Sequence, residues 1–259
     1  MSADKNKRTA ILNLAHKISA AKRFNLQMAF TSASTRMHMM LHPLPVRQYR
    51  EEIDEQAVEA IRRRCYGDSS QNTSTEGLKY LDFRRYMPTN VKRVHELALD
   101  RVPPQRVLDV GSGAGYFLFV CRHLGHDCLG LDTNDVSAYE EMMKLLGVPR
   151  VTWRIEPFVP LPDLGAPFDV ITAHQMVFNG RRSSGFWKTA EWEFFLHDLR
   201  THLKPNGRIF LRFNKERQDC YISEELVAFF RSQGATVGRT SVCFDQGKAN
   251  FGANGISPD

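Results

Sequence analysis

The chain has 259 residues, of which 42% are hydrophobic and 25% are charged, and its formal net charge at pH 7 is +6. These values are ordinary for a globular protein with a substantial core, built either as one α/β domain with an extension or as two small domains. No apolar run approaches the roughly 20 residues of a membrane span, and the N-terminus lacks the pattern of a secretory signal, so we expect no membrane partner.

The five cysteines are scattered along the chain and include no Cys-x-x-Cys pair. Their number and spacing indicate neither a zinc site nor a disulfide framework, so no metal is predicted. A reducing, cytoplasmic setting fits free thiols of this kind best.

The positive charge is concentrated in residues 1–105, which contain 18 Lys or Arg and 11 Asp or Glu. A basic region can serve an anionic substrate or nucleic acid. It can equally be a solvated helical surface, and composition alone does not distinguish these readings.

Helices are predicted along much of this basic region. Apolar residues recur at helical spacing over residues 5–41, with a break predicted at Ser32–Thr35, and a second helix is predicted over residues 46–66. The polar stretch Asp68–Gly77 has no apolar residue and is predicted to be a surface loop.

The segment that follows mixes aromatic and basic residues. Such interleaving suits a stacking and phosphate-binding surface, but it is also typical of an amphipathic helix packed on a core. After Pro88, residues 89–100 are predicted to form another helix, with Thr89 or Asn90 as its N-cap. The mixed residues are Lys79, Tyr80, Phe83, Arg84, Arg85 and Tyr86.

A short apolar run, Val107–Val110, is followed by three glycines at alternate positions and then by a second apolar run. This pattern predicts a buried strand, a tight turn and the start of a helix. Glycine suits such a turn because it adopts backbone angles closed to other residues and lets a ligand approach the main chain. The glycines are Gly111, Gly113 and Gly115, and Asp109 precedes the first of them by two positions.

A second strand is predicted over Asp127–Leu131, and Asp132 stands at its end. An acid roughly 20 residues beyond the glycines is where a ribose-binding carboxylate belongs in a nucleotide-binding βαβ unit. A carboxylate can accept hydrogen bonds from both ribose hydroxyls. The alternative is that Asp132 caps a helix, since the residues that follow it also suit a helix start.

Strands and helices alternate from residue 106 onward, which predicts a mostly parallel sheet with helices on both faces. The linker Glu156–Pro167 carries four prolines and cannot hold a long helix. The later predicted strands are Val151–Ile155, Phe168–Ala173, Arg208–Phe213 and Thr236–Phe244, the last being one strand or a short pair. The predicted helices are Gly115–Leu124, Asp135–Leu146, Glu191–Leu203 and Ser223–Gln233.

The glycine turn, written D-x-G-x-G-x-G, resembles motif I of the class I S-adenosylmethionine (SAM)-dependent methyltransferases. It differs from the dinucleotide fingerprint, because the third glycine comes one residue early. Phe168-Asp169 before an apolar run resembles the family's motif IV, and Leu203–Gly207 resembles its L-x-P-G-G turn, with Asn206 replacing one glycine. The resemblance covers about residues 105–244 and implies an α/β, Rossmann-like sheet with SAM as cofactor.

Two domains are predicted on this basis. Residues 1–104 are expected to form a helical extension that covers the substrate, and residues 105–259 the SAM-binding, Rossmann-like methyltransferase domain. The antiparallel strand that usually closes the family's sheet near the C-terminus is not identified in the sequence.

The resemblance also implies roles for individual residues. Gly111, Ser112 and Gly113 should face the methionine portion of SAM, and Asp109 should support their turn or reach the cofactor ammonium through water. His174 is the candidate general base, because imidazole titrates near neutral pH; the alternative is that it only hydrogen-bonds a loop or the cofactor. The remaining expected cofactor contacts are Asp132 and Thr133 at the ribose, Glu156, Pro157 and Phe158 at the adenine, and Ala173 near the sulfonium.

The implied reaction is transfer of the SAM methyl group to a nucleophile. The loop Gln175–Lys188 contains Arg181, Arg182, Phe186 and Trp187, which suit an anionic or ring-containing small molecule. No N-P-P-[YF]-like tetrapeptide, which serves amino-group methylation of bases or glutamine, follows the fourth predicted strand. We therefore predict a small-molecule acceptor that is methylated at oxygen rather than nitrogen. The alternatives are an RNA methyltransferase that uses the basic N-terminal region and a non-catalytic SAM-binding protein.

Overall fold

The structure is a computed structural model that describes residues 33–67, 77–179, 185–214 and 221–245. The chain divides into two compact units, residues 1–44 and residues 45–259. In the first unit, residues 33–41 form one helix, α1, so the break predicted at Ser32–Thr35 is wrong over its described part. The predicted helix before α1 and most of the predicted loop Asp68–Gly77 lie outside the described residues.

The second unit is built on a seven-stranded sheet in the order β3-β2-β1-β4-β5-β7-β6. The strands are β1 (Arg106–Val110), β2 (Asp127–Asp132), β3 (Arg150–Thr152), β4 (Phe168–Met176), β5 (Leu203–Phe213), β6 (Thr236–Val237) and β7 (Ser241–Asp245). The first five strands are parallel to one another, whereas β7 runs antiparallel to both β5 and β6. The predicted mostly parallel, Rossmann-like α/β sheet is therefore confirmed.

The observed bounds of β3 and β4 differ from those predicted. β3 ends at Thr152, earlier than predicted, and beyond it the Trp153 amide still donates to the Asp132 carbonyl at 2.9 Å. β4 continues to Met176 because β5 pairs with it as far as that residue, across two irregularities in register. The region Thr236–Phe244 forms the predicted short pair, and its second member, β7, closes the sheet.

Helices cover both faces of the sheet. They are α2 (Val46–Glu51), α3 (Glu55–Tyr66), α4 (Phe83–Glu96), α5 (Tyr116–His123), α6 (Ser137–Leu145), α7 (Thr189–Thr201) and α8 (Glu224–Ser232), with 3₁₀ turns at Leu78–Leu81 and Leu99–Arg101. Trp192 and Phe195 of α7 and Phe230 of α8 join one core with Ile209 and Leu211 of β5. On the other face α4 packs against α5, and α3 against α6. Within the described ranges, every helix falls short of the length and apolarity that a membrane crossing requires.

The helix predicted over residues 46–66 is two helices, α2 and α3. The break lies at Asp54, whose carboxylate accepts hydrogen bonds from the backbone amides of Gln56 and Ala57 at 2.8 and 3.1 Å. An aspartate in this position satisfies amides that the first helical turn leaves without partners. The chain therefore starts α3 afresh at this cap.

Pro88 lies inside α4, which corrects the predicted helix start at Thr89 or Asn90. Proline has no amide hydrogen to donate to the carbonyl of Arg84, one turn earlier in the helix. The guanidinium of Arg50 donates to that carbonyl instead. A hydrogen bond from α2 therefore satisfies the group that Pro88 leaves open, and α4 continues through the proline.

Candidate functional site

The glycine turn connects β1 to α5 and is hydrogen-bonded to the end of β2. The amides of Gly111 and Ser112 both donate to the Leu131 carbonyl, at 2.7 and 3.3 Å. Gly111 and Gly113 have φ values of 74° and 55°, in the left-handed region that favours glycine. A Cβ added at either glycine would meet no neighbouring atom within 4 Å. The turn therefore presents its backbone to open space at the carboxyl edge of the sheet.

Asp132 joins this turn to the end of β2. Its carboxylate accepts hydrogen bonds from the amides of Gly113 and Thr133, both at 2.7 Å. Burial raises the pKa of Asp132 above its ordinary value, and these two amide hydrogen bonds act against that rise. Each carboxylate oxygen has a second lone pair, so both can still accept a hydrogen bond from a ligand.

Asp109 is buried in β1, two residues before the turn. Its Oδ1 accepts a hydrogen bond of 2.7 Å from the hydroxyl of Thr172 on β4. Burial raises the pKa of Asp109 from 3.8 to about 7, while the Thr172 hydroxyl and the Arg93 cation act in the opposite direction. The Asp132 charge adds a smaller increase. Both acids predicted from the sequence thus lie beside the turn, Asp109 buried and Asp132 half-buried.

His174 lies near the end of β4, on the face covered by α5. It is buried, and its ring centroid lies 4.8 Å from that of Phe117 and 5.7 Å from that of Phe210. Neither ring nitrogen has a hydrogen-bond partner among the described residues. Burial lowers the pKa of His174 well below its ordinary value, and the cations Arg93 and Arg212 lower it further. His174 is therefore a neutral imidazole near pH 7, and its assignment as a general base stays a prediction.

The remaining predicted residues are spread around this centre. Ser112 is in the turn, with a buried hydroxyl that has no partner among the described residues. Ala173 is buried in β4 and belongs to the core that includes α7 and α8. Phe158 has a left-handed φ of 61°, is 54% exposed, and lies 5.8 Å from the Phe194 ring. Its neighbours Glu156 and Pro157 are exposed, and no hydrogen bond among the described residues links these three positions to the turn.

Two further residues at this edge are not among the predicted cofactor or catalytic residues. The Arg93 guanidinium on α4 donates from Nη2 to the Gln175 side-chain oxygen at 2.7 Å. Gln175 has a left-handed φ of 55°, and the Asn214 side-chain amide donates to the carbonyls of Gln175 and Met176. No local pattern could reveal this arrangement, because Arg93 and Gln175 are 82 residues apart in sequence.

The mixed aromatic and basic segment lies beside the turn. The Tyr116 hydroxyl, at the start of α5, donates to the Tyr80 carbonyl at 2.6 Å. The Tyr80 ring centroid is 5.0 Å from Tyr86 and 5.9 Å from Tyr139 of α6. The Lys79 ammonium lies 4.9 Å from the centre of the Tyr80 ring. This aromatic cluster, Tyr80, Tyr86 and Tyr139, stands between the glycine turn and the start of α6.

One protein-family model matches this chain. A model described as a methyltransferase domain matches residues 82–225, which is more than half of the chain. A search of curated proteins by sequence finds no match.

Several solved structures have a similar fold. Ribosomal protein L11 methylase from Lactobacillus delbrueckii subsp. bulgaricus is 19% identical, with 61% of this chain and 74% of that chain covered and a TM-score of 0.38. CalS10, an amino pentose methyltransferase from Micromonospora echinaspora, is 17% identical, with 68% and 99% covered and a TM-score of 0.46. Magnesium protoporphyrin IX methyltransferase from Synechocystis PCC 6803 is 17% identical, with 78% and 96% covered and a TM-score of 0.43. These identities and scores are too low to indicate an acceptor.

Proposed function

This chain belongs to the methyltransferase family whose domain model it matches, and we propose that it transfers the methyl group of SAM to a small-molecule acceptor, at oxygen rather than nitrogen. It is a SAM-dependent enzyme with the class I fold. Cys65, Cys121 and Cys128 are free thiols, which supports our further proposal of a reducing, cytoplasmic setting.

The open face of the glycine turn carries this proposal. Space remains in front of Gly111 and Gly113, whereas a Cβ on Gly115 would overlap the Met143 thioether. Beside that space stand two carboxyl groups, the buried Asp109 and the half-buried Asp132. These groups suit a ligand with ribose hydroxyls and an ammonium group, so they fit SAM. We propose Asp132 for the ribose and Asp109 for the ammonium.

The cofactor supplies an already activated methyl group, so the protein has to hold the acceptor in line with it and exclude water. A general base is needed only if the acceptor keeps its proton until it attacks. His174 is a weak base, because burial and two nearby cations lower its pKa. An acceptor that ionises readily near neutral pH, such as a phenol or a carboxylic acid, would place little demand on such a base. This argument supports oxygen as the methylated atom.

The basic N-terminal region supports an RNA acceptor less strongly than its composition indicates. Several of its arginines already form ion pairs, which reduces the charge available to phosphate groups. The Arg84 guanidinium pairs with Glu55, and that of Arg64 pairs with Glu141. Arg63 pairs with Glu59 at 3.3 Å.

A panel of acceptors tests the proposal directly. Purified protein is incubated with SAM and with phenols, carboxylic acids, primary amines or structured RNA, and S-adenosylhomocysteine (SAH) release is measured alongside the product mass. We expect methyl ethers or esters from one of the first two classes. Methylation of amines alone, or salt-sensitive methylation of RNA alone, would contradict the proposed acceptor. SAH binding without turnover on any class would favour the non-catalytic alternative.

A further inference from the structure

Arg150, at the start of β3, is hydrogen-bonded to the loop that follows Asp132. Its side chain is only 6% exposed. The Nη2 atom of Arg150 donates to the Thr133 carbonyl, and its Nη1 donates to the Asn134 side-chain oxygen at 2.9 Å. The Thr152 hydroxyl, also on β3, donates to the same Asn134 oxygen at 3.1 Å. Side chains of β3 therefore hold the loop after β2.

Thr133 connects Arg150 to Asp132. The Thr133 amide donates to Oδ1 of Asp132 at 2.7 Å, while the Thr133 carbonyl accepts from Arg150. The other carboxylate oxygen, Oδ2, accepts from the Gly113 amide at 2.7 Å. The carboxylate is thus held on one side by the glycine turn and on the other by a residue that Arg150 fixes.

The positive charge of Arg150 faces an acid that already has another partner. The Glu140 carboxylate on α6 lies 4.0 Å from Nη1 of Arg150 and pairs with the Lys144 ammonium at 2.7 Å. The buried Nε of Arg150 has no hydrogen-bond partner among the described residues. Because the guanidinium is shielded from water, its field is screened less than that of a surface cation. Arg150 can therefore influence the ionisation of Asp132.

Several groups determine how readily Asp132 ionises. Burial raises its pKa most strongly, and the two amide hydrogen bonds to its carboxylate lower it. The Arg150 charge lowers the pKa further, whereas the Asp135 charge raises it. Asp109 on β1 also interacts with the Asp132 charge. Removal of the Arg150 charge should therefore let Asp132 take up a proton at a higher pH.

We propose that Arg150 is a positioning residue for SAM binding, which keeps the Asp132 carboxylate ionised and, through Thr133, oriented toward the ribose. An ionised carboxylate can accept a hydrogen bond from each ribose hydroxyl, whereas a protonated carboxyl group turns one oxygen into a donor. This inference rests on the proposed use of Asp132 in the SAM site. It gives β3, to which none of the predicted cofactor residues belongs, a part in cofactor binding.

Calorimetry with SAH at about pH 8 and about pH 5.5 tests the assignment without an acceptor. Arg150→Gln keeps a side-chain amide but removes the charge. We expect it to weaken SAH binding about three- to tenfold at the higher pH, the range of one hydrogen bond, and by more at the lower pH. Arg150→Lys keeps the charge but not the two-pronged hydrogen bonding, so its loss should be the same at both pH values. Asp109 titrates in every variant, so each variant is compared with wild type at the same pH.

Two further variants define the comparison. The Arg154 guanidinium pairs with Asp135 of the same loop but is 57% exposed, so Arg154→Gln should leave SAH affinity within about twofold of wild type. In the Asp132→Asn background, Arg150→Gln should cause little further loss, because its effect passes through that carboxylate. Urea denaturation establishes that each variant is folded. If Arg150→Gln is unfolded, Arg150→Lys takes its place in this double-mutant cycle.

The outcomes separate this inference from the proposed function. If wild-type protein does not bind SAH, or Asp132→Asn binds it normally, the proposed SAM site is wrong and this inference falls with it. If Asp132→Asn weakens SAH binding but Arg150→Gln matches wild type at both pH values, only the inference fails. Additive losses in the double variant, or an equal loss in Arg154→Gln, would also overturn it, because Arg150 would then not act through Asp132.

Discussion

Two glycines of the turn should affect different properties: Gly113 should affect ligand binding, and Gly115 should affect folding. Gly113 and Gly115 share a left-handed backbone, with φ of 55° and 81°, but only Gly115 is packed against another side chain, that of Met143. A methyl group at Gly113 would extend into open space, whereas one at Gly115 would displace a core residue. The same substitution should therefore produce two different defects.

We expect Gly113→Ala to weaken SAH binding at least tenfold, or about 1.4 kcal/mol, because its methyl group occupies the cofactor space. Its cost in folding should be limited to backbone strain, about 1–2 kcal/mol. Gly115→Ala should add an overpacking cost of about 1–3 kcal/mol against Met143 and affect SAH affinity less. Urea denaturation and calorimetry on both variants measure the two quantities. Normal SAH binding by Gly113→Ala would show that this space does not hold the cofactor.

Asp109 should make the stability of the protein depend on pH. Its folded pKa of about 7 lies above the ordinary 3.8, so the folded state binds this proton more tightly than the unfolded state. The resulting stabilisation is complete below pH 3.8 and is lost as the pH rises through 7.

The measurement is the free energy of unfolding between about pH 5 and pH 8, for wild-type protein and Asp109→Asn. The wild-type value should fall relative to the variant by an amount on the order of 3 kcal/mol. The variant serves as the control, because all other titrating groups are common to both proteins. Parallel pH profiles would mean that Asp109 is ionised at little cost in the folded protein.

Among the elements, α4 shows most clearly how tertiary contacts override local preference. Its sequence contains Pro88, which normally ends a helix, yet Arg50 on α2 donates to the carbonyl that the proline leaves free. Arg50 and Pro88 should therefore be coupled energetically.

A double-mutant cycle measures this coupling. Arg50→Met should lower the free energy of unfolding by about 0.5–1.5 kcal/mol in the wild-type background, because it leaves the Arg84 carbonyl without its donor. In the Pro88→Ala background the loss should be smaller, since Ala at position 88 supplies a backbone amide to the same carbonyl. Strict additivity of the two substitutions would contradict the proposed link.

The elements also show what the sequence could and could not reveal. β1, the glycine turn and β2 were predicted because apolar runs, alternate glycines and a terminal acid are local patterns. The antiparallel direction of β7 was missed because it depends on pairing with β5, which the segment itself does not encode. Within the candidate site, Asp109 and Asp132 were predicted from their spacing to the turn. Arg93 was missed because its partner Gln175 is distant in sequence.

At the scale of the whole molecule, the two compact units should contribute differently to cofactor binding and to turnover. The glycine turn, both carboxyl groups and Arg93 all belong to residues 45–259. The predicted division at residue 104, with the earlier segment as substrate cover, stays a prediction, although the family match already begins at residue 82.

Deleting residues 1–44 should leave SAH affinity within about tenfold of wild type, or roughly 1.4 kcal/mol, because no residue of the proposed cofactor site is removed. Turnover of the acceptor found in the panel should be lost if the N-terminal segment covers the substrate. Calorimetry and SAH release measure the two effects on the same preparation. A truncated protein that methylates at the normal rate would show that residues 1–44 have another role.

The residues that join the α4 region to the sheet are far apart in sequence, so these contacts form late during synthesis. Arg93 bonds to Gln175, Arg212 to Glu96, and Arg208 to the Leu97 carbonyl, over separations of 82, 116 and 111 residues. At a synthesis rate of about 5–20 residues per second, α4 leaves the ribosome on the order of 10 seconds before β5 is complete. During that interval its charged and apolar surface has no native partner on β5. We therefore expect α4 to stay accessible to ribosome-associated chaperones until β5 has emerged.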